Sequence, residues 1–282
     1  MSSSIFSGRT ICIATKHGKE SVIGPKLKQA IGVEYIVPNH FDTDELGTFS
    51  GEVERTLTPI EAAREKCRRA IEQTNCDLAV ASEGSFGAHP TLFLVPADEE
   101  FLVLLDVKND IEIVARHLTT ETNFGGESVN NWEALKAFTE KSRFPDHAVI
   151  LKNSEKNWEY IKKGIQNEDE LKSAFDTCLS VYGTVFAETD MRAMLNPSRM
   201  KAISQATDEL IRKIQSKCPK CSIPGFDIKE RQAGLPCSNC NMPTRSTLQH
   251  VYCCEHCNYE QIEKFPLGKE QEDPMYCDFC NP

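Results

Sequence analysis

The hydrophobic and polar positions of the first 216 residues follow two alternating patterns. Short apolar and β-branched runs predict strands, because such side chains fit a pleated, buried surface. These runs cover residues 10–15, 33–37, 77–82, 91–95, 101–106, 111–117, 147–152 and 183–188. The sequence Lys-Asn-Asp at residues 108–110 predicts a hairpin turn between two of them.

Between these runs, apolar residues recur at the spacing of amphipathic helices. Helices are predicted across residues 26–31, 58–71, 128–141, 168–182 and 196–216. The clearest start is at Thr58, where Pro59 suits the first helical position and Glu61 completes a capping box. The mixture predicts an α/β domain over residues 1–216, with a mixed central sheet flanked by helices.

After Ser216 the periodicity disappears, and Cys, Pro and Gly take over. Four CxxC pairs follow: Cys218/Cys221, Cys237/Cys240, Cys254/Cys257 and Cys277/Cys280. A CxxC turn lets two thiolates reach one ion, and two such turns complete a tetrahedral site. The eight thiolates therefore predict a double zinc-ribbon domain over residues 217–282 with two structural Zn²⁺ ions.

The pairing of these cysteines stays open at this point. Sequential pairing, first CxxC with second and third with fourth, is the default, and an interleaved pairing is the alternative. Disulfides are a weaker alternative, because the start of the chain lacks the apolar region of a signal peptide.

Charge limits the partners that the chain can have. It carries 32 Lys and Arg against 42 Asp and Glu, a formal net charge of −10, which argues against nucleic-acid binding. From Lys217 onward we count seven basic and nine acidic residues, so we favour a structural or protein-contact role for the tail. No apolar stretch reaches the about 18 residues of a membrane span, and we expect a cytoplasmic protein with no membrane partner.

The turn after the first predicted strand is a candidate anion site. Lys16, His17 and Lys19 lie where a helix begins, and backbone N–H groups at a helix start attract anions. The glycine spacing of a Walker A loop is absent. The alternative is a solvated polar turn.

Three further segments carry candidate chemistry. In "ASEGSFGAHP", residues 81–90, Glu83 directly follows an apolar strand, and a carboxylate in such a turn can hold a metal ion or activate water. The acidic segment 41–55 contains Glu52 and Glu54. Asp190, Arg192 and Arg199 surround the start of the last helix, and an arginine there could bind a phosphate or a base edge, or only pair with Asp190. The alternative for residues 81–90 is a polar turn, and the alternative for residues 41–55 is a solvated acidic loop.

Read together, these segments resemble the inosine/xanthosine triphosphate pyrophosphatase superfamily. That superfamily has a strand ending in A-T-x-N-x-x-K, then E-T-G-x-T-F-x-E-N-A-x-x-K-A, then a strand into D-D-S-G or I-E-A-G. Here Thr15 begins the turn and Lys19 ends it, residues 54–66 follow the second pattern, and residues 80–84 resemble the third. The resemblance covers about the first 90 residues.

The resemblance implies a pyrophosphatase-like fold and a set of roles. Lys19 would contact the phosphates, Glu83 would hold Mg²⁺ or orient water, and Glu52 or Glu54 would be the second carboxylate. Apart from the resemblance, the residues themselves suggest further candidate nucleotide contacts: Thr15, Lys16 and His17 in the turn, Ser85 near Glu83, and Arg192 and Arg199 near the last helix. Over its whole length, the chain resembles an uncharacterised bacterial domain family with the same cysteine pairs.

Two functional hypotheses follow from these patterns. The first is a Mg²⁺-dependent hydrolase of a nucleoside triphosphate or a related phosphorylated nucleotide, with a structural zinc tail. The second is a non-enzymatic nucleotide sensor, or an adaptor whose zinc ribbons contact protein or RNA.

Overall fold

The computed structural model describes residues 4–39, 41, 57–156 and 158–282. The chain divides into two compact units, Met1–Ile211 and Arg212–Pro282. The first unit combines helices with two β-sheets, and the second contains a small sheet and the cysteine pairs. The predicted mixed α/β character is therefore confirmed.

A five-stranded mixed sheet forms the first half of the larger unit. Its strands are β1 (Thr10–Ala14), β2 (Glu34–Ile36), β3 (Leu78–Ala88), β4 (Pro96–Asp106) and β5 (Ile111–Thr119). The spatial order is β2-β1-β3-β4-β5. Strand β1 is parallel to β2 and β3, whereas β3, β4 and β5 are successively antiparallel.

Five α-helices are present in the described residues: α1 (Glu20–Ile31), α2 (Pro59–Thr74), α3 (Trp132–Lys141), α4 (Glu168–Tyr182) and α5 (Pro197–Gln215). Helix α2 begins as predicted, since Thr58 accepts from the Glu61 N–H at 3.3 Å and Glu61 accepts from the Thr58 N–H at 2.9 Å. Its apolar stripe packs on the sheet through Ala63, Cys67 and Ala70.

A second sheet, of four antiparallel strands, was not expected from the sequence, which predicted one central sheet. Its strands are β6 (Gly126–Val129), β7 (Val149–Lys152), β8 (Ile161–Ile165) and β9 (Val185–Thr189), in the order β6-β9-β7-β8. One face packs against α3 and α4, where Leu135, Phe138, Leu171 and Phe175 are buried.

Two predictions around the β3–β4 hairpin are wrong. Glu83 does not lie in a turn after a strand, because β3 continues to Ala88 and pairs with β4 along its whole length. The strand predicted at residues 91–95 is instead an exposed connection, in which Leu94 is 99% exposed. His89 stabilises the start of this connection, because its ring Nδ1 accepts a hydrogen bond from the Leu92 N–H at 3.1 Å.

The helix predicted from residue 128 begins later. Residues 126–129 form β6 beside β9, and Asn131 caps α3 by accepting from the Ala134 N–H at 2.8 Å. Pairing with a strand that lies about 60 residues later in the chain decides this segment, and local periodicity does not report it.

The second unit is built on a three-stranded antiparallel sheet. Its strands are β10 (Asp227–Ala233), β11 (Thr247–Cys253) and β12 (Glu260–Lys264), in that spatial order. Among the described residues of the whole chain, no helix has both the length and the apolar content needed to cross a bilayer.

Candidate functional site

A cavity of about 900 Å³ in the first unit is bounded by residues of both sheets. Every predicted site residue of this unit that the structure describes lines it: Thr15, Lys16, His17, Lys19, Glu83, Ser85, Arg192 and Arg199. Glu52 and Glu54 lie outside the described residues. Segments far apart in the chain thus meet at one place.

The turn after β1 supplies one wall of the cavity. Lys19 is only 7% exposed and donates to the Ser82 carbonyl at 3.3 Å and to the Ser82 hydroxyl at 3.0 Å. Burial, followed by the nearby charge of Arg199, lowers the Lys19 pKa to about 7. The buried Thr15 hydroxyl has no hydrogen-bond partner among the described residues. This wall therefore offers a hydroxyl group and a lysine amine that can take up a proton near neutral pH and bind an anion as the ammonium.

Glu83 and Lys66 form a buried ion pair at the same wall. The Lys66 ammonium, on α2, contacts the Glu83 carboxylate, on β3. Sequence reasoning missed Lys66, although a signal was present. It lies next to Cys67 and three residues after Ala63, on the face of α2 that packs on the sheet, where a charged residue needs a partner.

A second buried ion pair joins Glu100 on β4 to Arg199 on α5. Arg199 and Glu100 are 1% and 0% exposed, and their Nε and Oε1 atoms are 2.6 Å apart. Arg199 also donates to the Met191 carbonyl, and its guanidinium lies 5.1 Å from the Phe86 ring centroid. Gly84 leaves room for this pair, since a Cβ there would lie 2.6 Å from Glu100 Oε1.

Asp98 extends this polar cluster along β4. Burial and then the charge of Glu100 raise the Asp98 pKa to about 8. One carboxylate oxygen of Asp98 and one of Glu100 have no hydrogen-bond partner within the described part of the chain. Sequence reasoning began this strand at Phe101 and so missed both acids, although their two-residue spacing places them on one face of a strand.

Arg192 pairs with Asp190, which was one of its two predicted alternatives. Arg192 Nη2 lies 2.5 Å from Asp190 Oδ2, and the fully buried Asp190 also accepts from the Gly164 N–H at 3.1 Å. The guanidinium still lines the cavity, so Asp190 fixes its position there.

The second sheet contributes a wall that the sequence did not reveal. Phe186 and Glu188 of β9 line the cavity here, together with Phe124, which precedes β6 and stacks on Phe86 of β3. The nearly buried Lys152 contacts Glu188 Oε2 at 2.7 Å and lies 5.4 Å from the Phe186 ring centroid. Burial raises the pKa of Glu188. The signal was the alternation of Phe186, Glu188 and Asp190 on one strand face.

The second unit gathers its eight CxxC cysteines into two groups of four. One group is Cys218, Cys221, Cys254 and Cys257, and the other is Cys237, Cys240, Cys277 and Cys280. The first CxxC pair thus joins the third, and the second joins the fourth. The default expectation of sequential pairing is wrong, and the interleaved alternative is correct.

Strand direction explains this pairing. Because β10 and β11 are antiparallel, Asp227 at the start of β10 lies opposite Cys253 at the end of β11. The CxxC pair before β10 and the pair after β11 therefore meet at one end of the sheet. The pair between β10 and β11 lies at the other end, to which β12 returns the chain.

The geometry of both groups fits tetrahedral metal coordination. The sulfur atoms of Cys218 and Cys257 are 3.7 Å apart, and those of Cys237 and Cys280 are 3.8 Å apart. A zinc–sulfur bond of about 2.3 Å gives a tetrahedral edge of about 3.8 Å. The Lys220 N–H donates to Cys218 Sγ and the Asn239 N–H donates to Cys237 Sγ, each at 3.4 Å, and such donors favour the thiolate that a metal requires.

All four CxxC turns share one backbone hydrogen bond. The residue after the second cysteine donates its N–H to the carbonyl of the first, at 2.8–2.9 Å, in each case. In three turns that residue, Ser222, Asn241 or Asn258, has a positive φ. Both groups could therefore hold zinc ions.

Comparisons with known proteins give a family without an assigned activity. The sequence profile of the family described as "Domain of unknown function (DUF6671)" matches residues 66–282. No curated protein matches the chain. Residues 1–65, which include the turn with Lys19, lie outside the matched region.

Proposed function

The chain belongs to the DUF6671 family, and we propose that its first unit is a Mg²⁺-dependent hydrolase of a nucleoside triphosphate or a related phosphorylated nucleotide. A water molecule would attack the α-phosphorus of the nucleotide. The bond between this phosphorus and the oxygen that bridges it to the β-phosphorus would break, which releases pyrophosphate and leaves a nucleoside monophosphate. The pyrophosphatase-like resemblance of the first 90 residues motivates this reaction.

One observation carries the proposal. The cavity collects cations from three separate segments at its first wall, namely Lys16, Lys19, Lys66 and Arg199, together with the carboxylate of Glu83. A cluster of cations with hydroxyl groups suits phosphate oxygens, and a neighbouring carboxylate suits a metal ion.

The residues divide naturally between binding and chemistry. Lys19 and the orphaned hydroxyl of Thr15 would contact phosphate oxygens. Glu83 fits Mg²⁺, which proteins bind through one or two carboxylates together with substrate phosphates. When bound, Mg²⁺ would neutralise charge on the phosphates. Lys66 would hold the Glu83 carboxylate in place and add positive charge beside the reacting group.

A matched pair of variants tests the reaction. Pyrophosphate release from a panel of nucleoside triphosphates with Mg²⁺ would be measured for the wild type, Glu83→Gln and Glu112→Gln. Both variants break an ion pair between a strand and α2, but only Glu83 lines the cavity. We expect a loss of at least about 100-fold in Glu83→Gln and wild-type turnover in Glu112→Gln.

A ligand sensor without hydrolysis is the second candidate. The contact of Lys66 with Glu83 favours it, because a carboxylate that already has a cationic partner attracts Mg²⁺ less strongly. Nucleotide binding to the wild type, with no turnover on any nucleotide, would decide for this candidate.

For the second unit we propose two structural Zn²⁺ ions and a protein-contact role. The two groups of four cysteines support the metal, and the tail's acidic balance supports a protein partner over nucleic acid. Zinc analysis of the purified chain should give two ions per chain.

A further inference from the structure

The two walls of the cavity differ in charge and in aromatic content, and this difference would orient a bound nucleotide. Four cations meet one carboxylate, that of Glu83, at the first wall, whereas the second wall sets Lys163 and Arg192 against Glu155, Glu188 and Asp190 and adds the rings of Phe124 and Phe186. Phosphate is repelled by a carboxylate and a flat base is compatible with aromatic rings. A nucleotide would therefore place its phosphates at the first wall and its base at the second.

Strand register decides which residues surround Glu188. Its neighbour across β6 is Gly126, and its neighbour across β7 is Ile150. A Cβ on Gly126 would lie 2.8 Å from the Phe186 ring, so the ring lies close to this glycine. The Glu188 carboxylate is therefore surrounded on this sheet by the ring of Phe186, the backbone of Gly126 and the aliphatic side chain of Ile150.

Lys152 holds Glu188 in position. Its ammonium contacts Oε2 at 2.7 Å, which fixes one oxygen of the carboxylate and offsets part of the rise in the Glu188 pKa that burial causes. An ionised carboxylate only accepts hydrogen bonds, so a ligand edge facing it has to donate them. Asp190, the next acid on this face, is already occupied by Arg192 and the Gly164 N–H.

We propose that Glu188 is a specificity-determining residue that accepts hydrogen bonds from a base with two adjacent N–H donors, as on the N1 and N2 edge of guanine. This inference rests on the proposed nucleotide-binding function. Adenine presents an acceptor at N1, which the carboxylate would repel, and hypoxanthine keeps N1–H but lacks the 2-amino group.

Calorimetric titration with GTP, ITP and ATP tests the inference, with Ca²⁺ replacing Mg²⁺ so that binding is measured without turnover. We expect the wild type to bind GTP about 10- to 100-fold more tightly than ATP, with ITP between them. Glu188→Gln should reduce this preference by about 10-fold or more and leave ATP affinity nearly unchanged or improved.

Two further variants keep the result interpretable. Glu127→Gln removes the same charge from an exposed position on β6 and should bind all three nucleotides like the wild type. Glu188→Asp keeps the charge beside Lys152 but shortens the side chain by one methylene. It should also lose part of the GTP preference, even if Glu188→Gln proves too unstable to purify.

Several results would overturn the inference. A wild type that prefers ATP, or equal losses for all three nucleotides in Glu188→Gln, would mean that Glu188 only serves to pair with Lys152. If the wild type binds none of the three, the proposed function fails as well. Binding with a base preference that Glu188 variants leave unchanged overturns this inference alone.

Discussion

Burial of the Lys19 side chain makes the stability of the folded chain depend on pH. Its ammonium is buried, so the charged form is disfavoured in the folded chain, and its pKa falls from the ordinary 10.5 to about 7. The unfolded chain therefore binds a proton that the folded chain lacks between these two values. Stability from this group consequently rises with pH across that window, and the full cost of burial is present below pH 7.

This linkage predicts the pH dependence of a Lys19→Met variant. Relative to the wild type, the variant should gain most stability at pH 6–7. Its advantage should shrink by up to about 1.4 kcal/mol per pH unit between about pH 7 and about pH 10.5. Urea unfolding at several pH values measures this, with the exposed Lys201→Met as a control expected to stay within about 0.5 kcal/mol of the wild type. An advantage independent of pH would contradict the assignment.

At the scale of the element, β3 is the strand on which the candidate site is built. Its register with β4 places Gly84 opposite Glu100, while Glu83 points to the α2 side. One strand therefore serves two buried ion pairs, one on each face of the sheet. The absence of a side chain at Gly84 is what allows the Arg199–Glu100 pair to approach the strand.

This arrangement predicts different results for two glycine variants of β3. In Gly84→Ala, the new Cβ would lie 2.6 Å from Glu100 and 2.7 Å from Arg199, whereas at Gly87 nothing lies within 4 Å. We expect Gly84→Ala to lower the free energy of unfolding by about 1–3 kcal/mol and Gly87→Ala to change it by less than about 0.5 kcal/mol. Equal effects in urea titrations would show that the buried pair does not need this space.

Elements with strong local signals could be predicted from the sequence. The capping box at Thr58 and the cap-plus-proline start at Asn196 and Pro197 predicted helices α2 and α5 correctly. Strand β6, which pairs with β9 about 60 residues later, was predicted as part of a helix. Strand β8 was missed, and "TLFLV" at residues 91–95 looked like a buried strand although β3 and β4 pair with each other and leave it exposed.

At the scale of the whole chain, the candidate site was predicted unevenly. Lys16, Lys19 and Glu83 of the first wall could be predicted because they lie in short polar segments that are visible in sequence order, whereas Lys66 lies on the buried face of α2 and was missed. The second wall depends on a sheet whose strand order, β6-β9-β7-β8, differs from chain order. Glu188 acquires its neighbours Gly126 and Ile150 only through that order, which local patterns do not encode.

The interleaved cysteine groups predict the zinc content of double variants. Cys237→Ser with Cys280→Ser removes two ligands from one group, so about one Zn²⁺ per chain should remain. Cys237→Ser with Cys257→Ser removes one ligand from each group and should leave less than one. Under sequential pairing, both double variants would remove one ligand from each site, so both would be depleted to the same extent. Atomic absorption on the purified proteins distinguishes the two arrangements.

The same interleaving decides how the tail can be cut or exchanged. The stretch that spans one group, residues 218–257, encloses Cys237 and Cys240 of the other, and the stretch 237–280 encloses Cys254 and Cys257 in return. No continuous peptide therefore contains one complete site without half of its neighbour. A chain that stops before Cys277 would keep two thiols stranded inside the loop of the surviving site, so the tail can be transplanted only whole.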